Sequence, residues 1–236
     1  MQVFEVTDHW VRSAVITMRH KDTPLRFLLF PMAHVASPSF YRQVRDRLES
    51  CDLLVVEGVH GTSRQVDILT LAYRLAARRD RNGLAEQDYR TLLPAGVPVI
   101  APDVSAGEVV ADLKRAMGWQ YPLLLAAAPV AGAIFAVRGP RAFLASESVD
   151  EELPPAPGTG TPTPAHLDDP SERALLDRRD LRLVDALSEI HARRALEPIT
   201  VAVVYGAAHI PAVVAGLLDR HGYRPRDAEW LTVLVA

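Results

Sequence analysis

Cysteine is almost missing from this chain. Cys51 is the only one in 236 residues, so no disulfide can close within the chain, and a reducing, cytoplasmic setting is the expectation. Lysine is almost missing too, present at positions 21 and 114 alone. Arginine supplies nearly all the basic charge, which reads as genomic bias rather than function. Neither sign of charge is in excess, with 26 basic against 29 acidic residues, so the footprint of a nucleic-acid binder is lacking. No signal peptide is expected, because Glu5, Asp8, His9 and Arg12 precede any apolar run. There is no Walker loop, GxGxxG fingerprint, GxSxG elbow, HExxH or CxxC pair. The longest uncharged stretch, Tyr121–Val137, stops short of the roughly 18–20 apolar residues that span a bilayer, and Pro122, Pro129 and Gly132 weaken it as a straight helix.

What is present is a hydrophobic content of 49%, enough to bury a substantial core in one large α/β domain. Residues 13–19 and 25–31 read as strands joined by the turn Lys21-Asp22-Thr23-Pro24. The second is apolar almost throughout, as in a strand covered on both faces. Ser37-Pro38 starts a helix marked by Phe40, Tyr41, Val44 and Leu48. Asp52–Gly58 is another apolar strand, 64–79 a helix, and Gly96–Asp103 a further strand. Val104–Met117 reads as a helix. A helix from Ser171 to about Ala195 precedes a strand at Thr200–Tyr205, a helix at Pro211–His221 and a last strand at Trp230–Val235. Alternation of strands and helices predicts a mixed, mostly parallel central sheet with flanking helices. The whole of 1–236 reads as one α/β domain, with an apolar helical insert at about 119–145 and a flexible Pro/Gly/Thr-rich linker at about 146–170. The insert is expected as a buried or homodimer-interface helix, with membrane contact through Tyr121–Val137 as the alternative.

In parallel sheets, functional groups collect beyond the carboxyl ends of the strands. Four titratable residues hold such positions here: His34, Glu57, Asp103 and His209. His34 and His209 share a setting, each following an apolar strand through small residues and preceding a β-branched one. Imidazole suits both a metal ligand and a base near neutral pH, while either ring could equally cap a helix or fill a half-buried position. Glu57 ends Leu53–Val56, where a carboxylate is costly unless paired or metal-bound. With two histidines it makes the donor set of a divalent metal site, or it serves as a general base. His60 is a further possible ligand or a loop residue. Asp103 is a candidate partner to the site or a helix N-cap. Asp177-Arg178-Arg179-Asp180 is either a solvated helix face or the source of an arginine that fixes an anionic or carbonyl group. Cys51 reads as core.

At these residues the sequence resembles the TraB/PrgY/GumN family, which is similar to the Tiki proteases and related to the erythromycin-esterase and ChaN-like proteins. That family carries two GxxH motifs with a glutamate after the intervening strand. The second stands here as Gly206-Ala207-Ala208-His209, and the first as Pro31-Met32-Ala33-His34, with proline in place of the glycine. Val35-Ala36-Ser37 and Val55-Val56-Glu57 also match, and Arg178-Arg179-Asp180 is similar to the family's Glu/Asp-Arg-Asn/Asp element. The stretch from Asp103 through Leu113-Lys114-Arg115 resembles a further family segment, although Val104 stands where an arginine is usual.

The resemblance implies two pseudo-symmetric strand–GxxH–helix halves and metal-dependent hydrolysis, Tiki-like, of a peptide or amide bond. His34, His209 and Glu57 would hold Mn, Co or Zn. Glu57 and Arg179 would be catalytic, and Asp103, His60, Asp180 and Gly206 would support the site or the substrate. A TraB/PrgY-like protein that only binds or sequesters a peptide or metal–porphyrin is the rival expectation.

Overall fold

The chain opens with β1 (Phe4–Val6), the long β2 (Trp10–Arg19) and β3 (Arg26–Met32), then β4 (Val35–Ala36), α1 (Pro38–Leu48) and β5 (Leu53–Val56). Next come β6 (Ala85–Glu86), the single turn α2 (Tyr89–Leu92), β7 (Val99–Ile100), α3 (Ala106–Met117) and α4 (Tyr121–Arg138). The C-terminal part supplies α5 (Pro170–Arg194), β8 (Thr200–Gly206), α6 (Ile210–His221) and β9 (Arg224–Val235). These elements belong to a computed structural model that describes residues 2–58, 65, 68, 83–138 and 170–235. The expected helix at 64–79 and linker at 146–169 lie outside the described residues, apart from helical positions 65 and 68.

The molecule is mixed α/β. Strands β3, β8, β5 and β7 lie side by side in that order and run parallel. β8 and β5 are buried at every position, which explains their unbroken apolar sequences. Antiparallel β2 joins β3 and pairs along its whole length with β9, from Trp10↔Val235 to Arg19↔Arg224. The last strand is therefore twelve residues long rather than confined to Trp230–Val235. The added residues, Arg224–Glu229, are exposed and mostly charged, so they carry no apolar signal; pairing with β2 alone makes them a strand. The expected strand at Gly96–Asp103 shrinks to Val99–Ile100, exposed and paired on one side only with β5.

Pro31 sits inside β3. The Arg26 N–H bonds to Ile199 on the β8 side, so alternate amides of β3 face β8 and Pro31 faces β2. At that level the β2 backbone pairs with the first strand instead, through residues 11–13 and the Ala14 N–H on the Val3 carbonyl, so no ladder bond is lost. The Ser13 hydroxyl donates to the Pro31 carbonyl at 2.6 Å.

Helix boundaries follow local chemistry. The Ser37 hydroxyl accepts from the Phe40 N–H ahead of Pro38, and α1 buries Phe40, Val44 and Leu48. Ser105 and Glu108 form a reciprocal capping box on α3. α6 ends at Gly222, at φ +75°. The Tyr121–Val137 stretch is helical, and several of its described side chains are exposed. Tyr121, Leu124 and Leu125 pack with the α3 residues Val109, Val110 and Leu113, whereas Leu123 (58% exposed), Val130 (60%) and Ile134 (46%) face outward. Among the described residues no helix is long and apolar enough to cross a membrane.

α5 and α6 approach closely at Gly216. A Cβ added there would lie 2.5 and 2.8 Å from the two γ-methyls of Val184. Valine in a helix has essentially one rotamer to offer, so the contact cannot be relieved by side-chain rotation. Gly216→Ala is expected to destabilise the fold by about 1–3 kcal/mol, despite alanine's better helix propensity. Adding Val184→Ala should recover part of that loss in urea denaturation. An unchanged midpoint in the single variant would disprove the close packing.

Candidate functional site

Three strand ends and one helix meet at a single point. Glu57 leaves β5 with its N–H on Val204 of β8 (3.0 Å), so its side chain is delivered beside the end of β8. There the Gly206 N–H donates to Glu57 Oε2 at 2.8 Å. After Gly206 the chain makes one tight turn, Ala207–His209, before α6, and this turn buries His209 next to the carboxylate. His209 Nε2 lies 3.8 Å from Glu57 Oε1.

His34 comes from the neighbouring strand. β3 pairs with β8 in a register that sets Met32 opposite Gly206, and His34 follows two residues on. Its segment is held by the Tyr41 hydroxyl on the Ala33 carbonyl (2.9 Å) and by the Gln87 N–H on the His34 carbonyl (2.8 Å). Gly206 is the centre of this arrangement. A Cβ at that position would lie 3.2 Å from Glu57 Oε2, 3.8 Å from His209 Cδ2 and 3.9 Å from His34 Nε2. Only glycine leaves that space open.

α5 supplies the supporting charges. Arg179 donates from Nε and Nη2 to both oxygens of Asp103 (2.9 and 2.8 Å) and from Nη2 to Glu57 Oε1 (2.5 Å). Asp103 is saturated further by the N–H groups of Gly58 and Val104. Ser105, not Asp103, caps α3, which leaves the Asp103 carboxylate to Arg179. The next residue, Asp180, bonds His209 Nδ1 at 2.5 Å and thereby turns Nε2 toward Glu57. Arg179 and Asp180 thus face inward, while their neighbours Asp177 and Arg178 are exposed.

Burial alone would raise the Glu57 carboxyl, but Arg179, then His209 and His34, outweigh it and bring its pKa down to about 2. Asp103 is also lowered: the Arg179 hydrogen bonds and charge overcome its desolvation. Asp180 goes the other way, because burial outweighs its bond to His209. Cys51 is pushed up to about 11 by burial and stays with the core.

The structure therefore brings together His34, Glu57, Asp103, Arg179, Asp180, Gly206 and His209. His60 lies outside the described residues. Sequence reasoning missed two tyrosines. Tyr205 is wholly buried, packs edge-on against the His209 ring (centroids 5.5 Å) and has a hydroxyl with no partner among the described residues. Burial and the charges of Asp103, Glu57 and Asp180 hold that phenol far above its ordinary range. Tyr89 is raised as well, first by burial and then by Glu57. Tyr205 had one available signal, its place next to Gly206; Tyr89 had none, because β6 and α2 reach the site only through tertiary folding.

Among the described residues no group of three or more His, Cys, Asp or Glu side chains is gathered as an evident metal cluster. The donor chemistry nevertheless suits a divalent cation. It comprises two imidazoles, one backed by the Asp180 carboxylate, and an ionised glutamate, and Asp103 brings the carboxylates to three against the one guanidinium of Arg179. No family model matches the chain, and comparison with curated proteins and with solved structures finds no match.

Proposed function

We propose that the space above Gly206 is the reacting centre of a hydrolase, of the peptide- or amide-cleaving class that the TraB/PrgY/GumN and Tiki resemblance implies. The observation that carries this reading is the convergence of Glu57, His209 and His34 within 4 Å of one point that a side chain at Gly206 would fill. The two strand–turn–histidine units would be the family's pseudo-symmetric halves.

The chain's own groups divide the work. His209, oriented by Asp180, presents Nε2 as the proton acceptor for an attacking water, and Asp180 stabilises the imidazolium that results. Glu57 at about pKa 2 is a weak base; it acts as a fixed negative charge or a ligand. Arg179 spends Nε and Nη2 on Asp103 and Glu57, and among the described residues its Nη1 has no acceptor. That N–H pair is the donor for an oxyanion developing on the substrate carbonyl. Alternatively, a divalent cation would be held by His34, Glu57 and that same His209 Nε2, which would then be a ligand rather than the base; when bound the cation would polarise that carbonyl and acidify a water.

Saturation of Glu57 by Arg179 and Gly206 favours the rival reading, a protein that binds a peptide or metal–porphyrin without turnover. Elemental mass spectrometry of purified wild type, His34→Ala and His209→Ala separates the two, with circular dichroism to confirm folding. Near-stoichiometric metal in wild type, lost in both variants, is the expected result. No metal in wild type after incubation with Mn²⁺, Co²⁺ and Zn²⁺ would overturn the metal-dependent reading in favour of binding.

A further inference from the structure

A second histidine cluster lies at the opposite ends of the two helices that serve the site. His191 is in the last turn of α5, His221 is the last residue of α6, and His20 follows β2. The rings of His191 and His221 are 4.4 Å apart between centroids, and those of His20 and His191 are 6.2 Å apart. Tyr223 stands between them, 5.5 Å from both His20 and His191, with its hydroxyl 3.1 Å from His191 Nδ1. The Asp22 N–H donates to His20 Nδ1. His221 Nε2 is buried and has no partner among the described residues.

Among the described residues this cluster has no counter-ion. The charged groups acting on His221 are His191, Arg220 and His20, and on His191 only His20; each is cationic when charged. The carboxylates on the surrounding elements are engaged elsewhere. From α5, Asp185 holds Arg220 and Glu189 holds Arg193; from the β2–β3 turn, Asp22 pairs with Lys21; beyond α5, Glu197 holds Arg194. Asp219 of α6 and Arg224 of β9 are exposed and are not among the charges acting on either ring. Burial first, and these neighbours second, hold His191 and His221 below the ordinary imidazole value.

We propose that His191 and His221, packed with Tyr223 and His20, form a pH-sensitive clasp that ties the ends of α5 and α6 to the β2–β3 turn while those two rings are neutral and loosens when they are protonated. A base held below its ordinary value in the fold takes up its proton later than in the unfolded chain. Stability conferred by the clasp is therefore complete above the ordinary imidazole pKa near 6.5. It falls as pH drops below that value, and the fall ends once the lowered folded value is passed. Of the same two helices, α5 carries Asp180 near its middle and α6 starts directly after His209. Eleven residues of α5, about 16 Å, separate Asp180 from His191, so the clasp steadies the helix pairing that positions the site.

The test compares thermal midpoints between about pH 7.5 and pH 5 for wild type, His221→Gln and His20→Gln, with NMR titration of the His191 ring. Wild type is expected to lose stability across this window. Each variant should show a shallower loss, and in His20→Gln the His191 ring should titrate at higher pH, because the one cation that acts on it is removed. His20→Gln, on the turn, keeps the test valid if His221→Gln does not fold. Parallel pH curves together with an unmoved His191 titration would overturn the clasp. Neither readout depends on turnover or on metal at the site.

Discussion

Replacing Arg179 with methionine is expected to lower the folding free energy at neutral pH by about 3–5 kcal/mol, the loss that follows when one partner of a buried ion pair is removed. The effect is large because two carboxylates depend on one guanidinium. The Asp103 side chain is wholly buried, Glu57 is 12% exposed, and both bond to Arg179. Methionine fills similar space but leaves two unpaired negative charges under the sheet ends. The pH dependence should reverse as a result. In wild type both carboxyls are depressed, so the stability they confer is present above their ordinary range and fades as pH falls toward the Glu57 value of about 2. Without Arg179, desolvation dominates and raises both carboxyls, so mild acid should stabilise the variant. Urea denaturation of both proteins at neutral and mildly acidic pH reads this directly. A variant as stable as wild type at neutral pH would show that Asp103 and Glu57 are neutral or solvated in the fold.

Glu57→Gln is expected to cut turnover by about 10²–10⁴-fold on whichever peptide or ester wild type cleaves, with the circular dichroism spectrum preserved. The fold should survive because Asp103 still clamps Arg179 through two hydrogen bonds. The amide nonetheless faces donors on both sides, Arg179 Nη2 and the Gly206 N–H, and can accept from only one atom. A stability loss of about 1–3 kcal/mol should accompany the lost activity. Turnover at the wild-type level would remove Glu57 from the mechanism and leave it as scaffold.

The parallel strands at the sheet centre and the residues at their carboxyl ends were legible in the sequence because period, apolarity and small-residue turns are local signals. His34, Glu57 and His209 could be picked out as strand-end residues, and Arg179 was carried by the family resemblance. Features settled by tertiary context were not legible. Arg224–Glu229 is charged and exposed, and only its partner strand β2 makes it β-structure. Gly96–Asp103 has a strand's composition, but just Val99 and Ile100 find a partner. Asp103 offered a cap or a site partner, and the choice fell to Ser105, two residues later. His20, His191 and His221 share no spacing, so nothing announced that three elements would bring them together.

The position of β8 between β3 and β5 also bears on how the protein is made. The strand at the middle of the sheet is synthesised long after both of its neighbours. Until residues 200–206 are synthesised, β3 and β5 have no shared neighbour, and β2 waits longer still for β9. Contacts of such sequence separation form slowly, and the apolar edges of β3 and β5 stay open to aggregation or chaperone capture during elongation. A nascent chain stopped before Thr200 would lack both the centre of its core and one of its two site histidines. The core is therefore intolerant of truncation ahead of Thr200, and protein yield should depend on the speed at which the codons between β5 and β8 are translated.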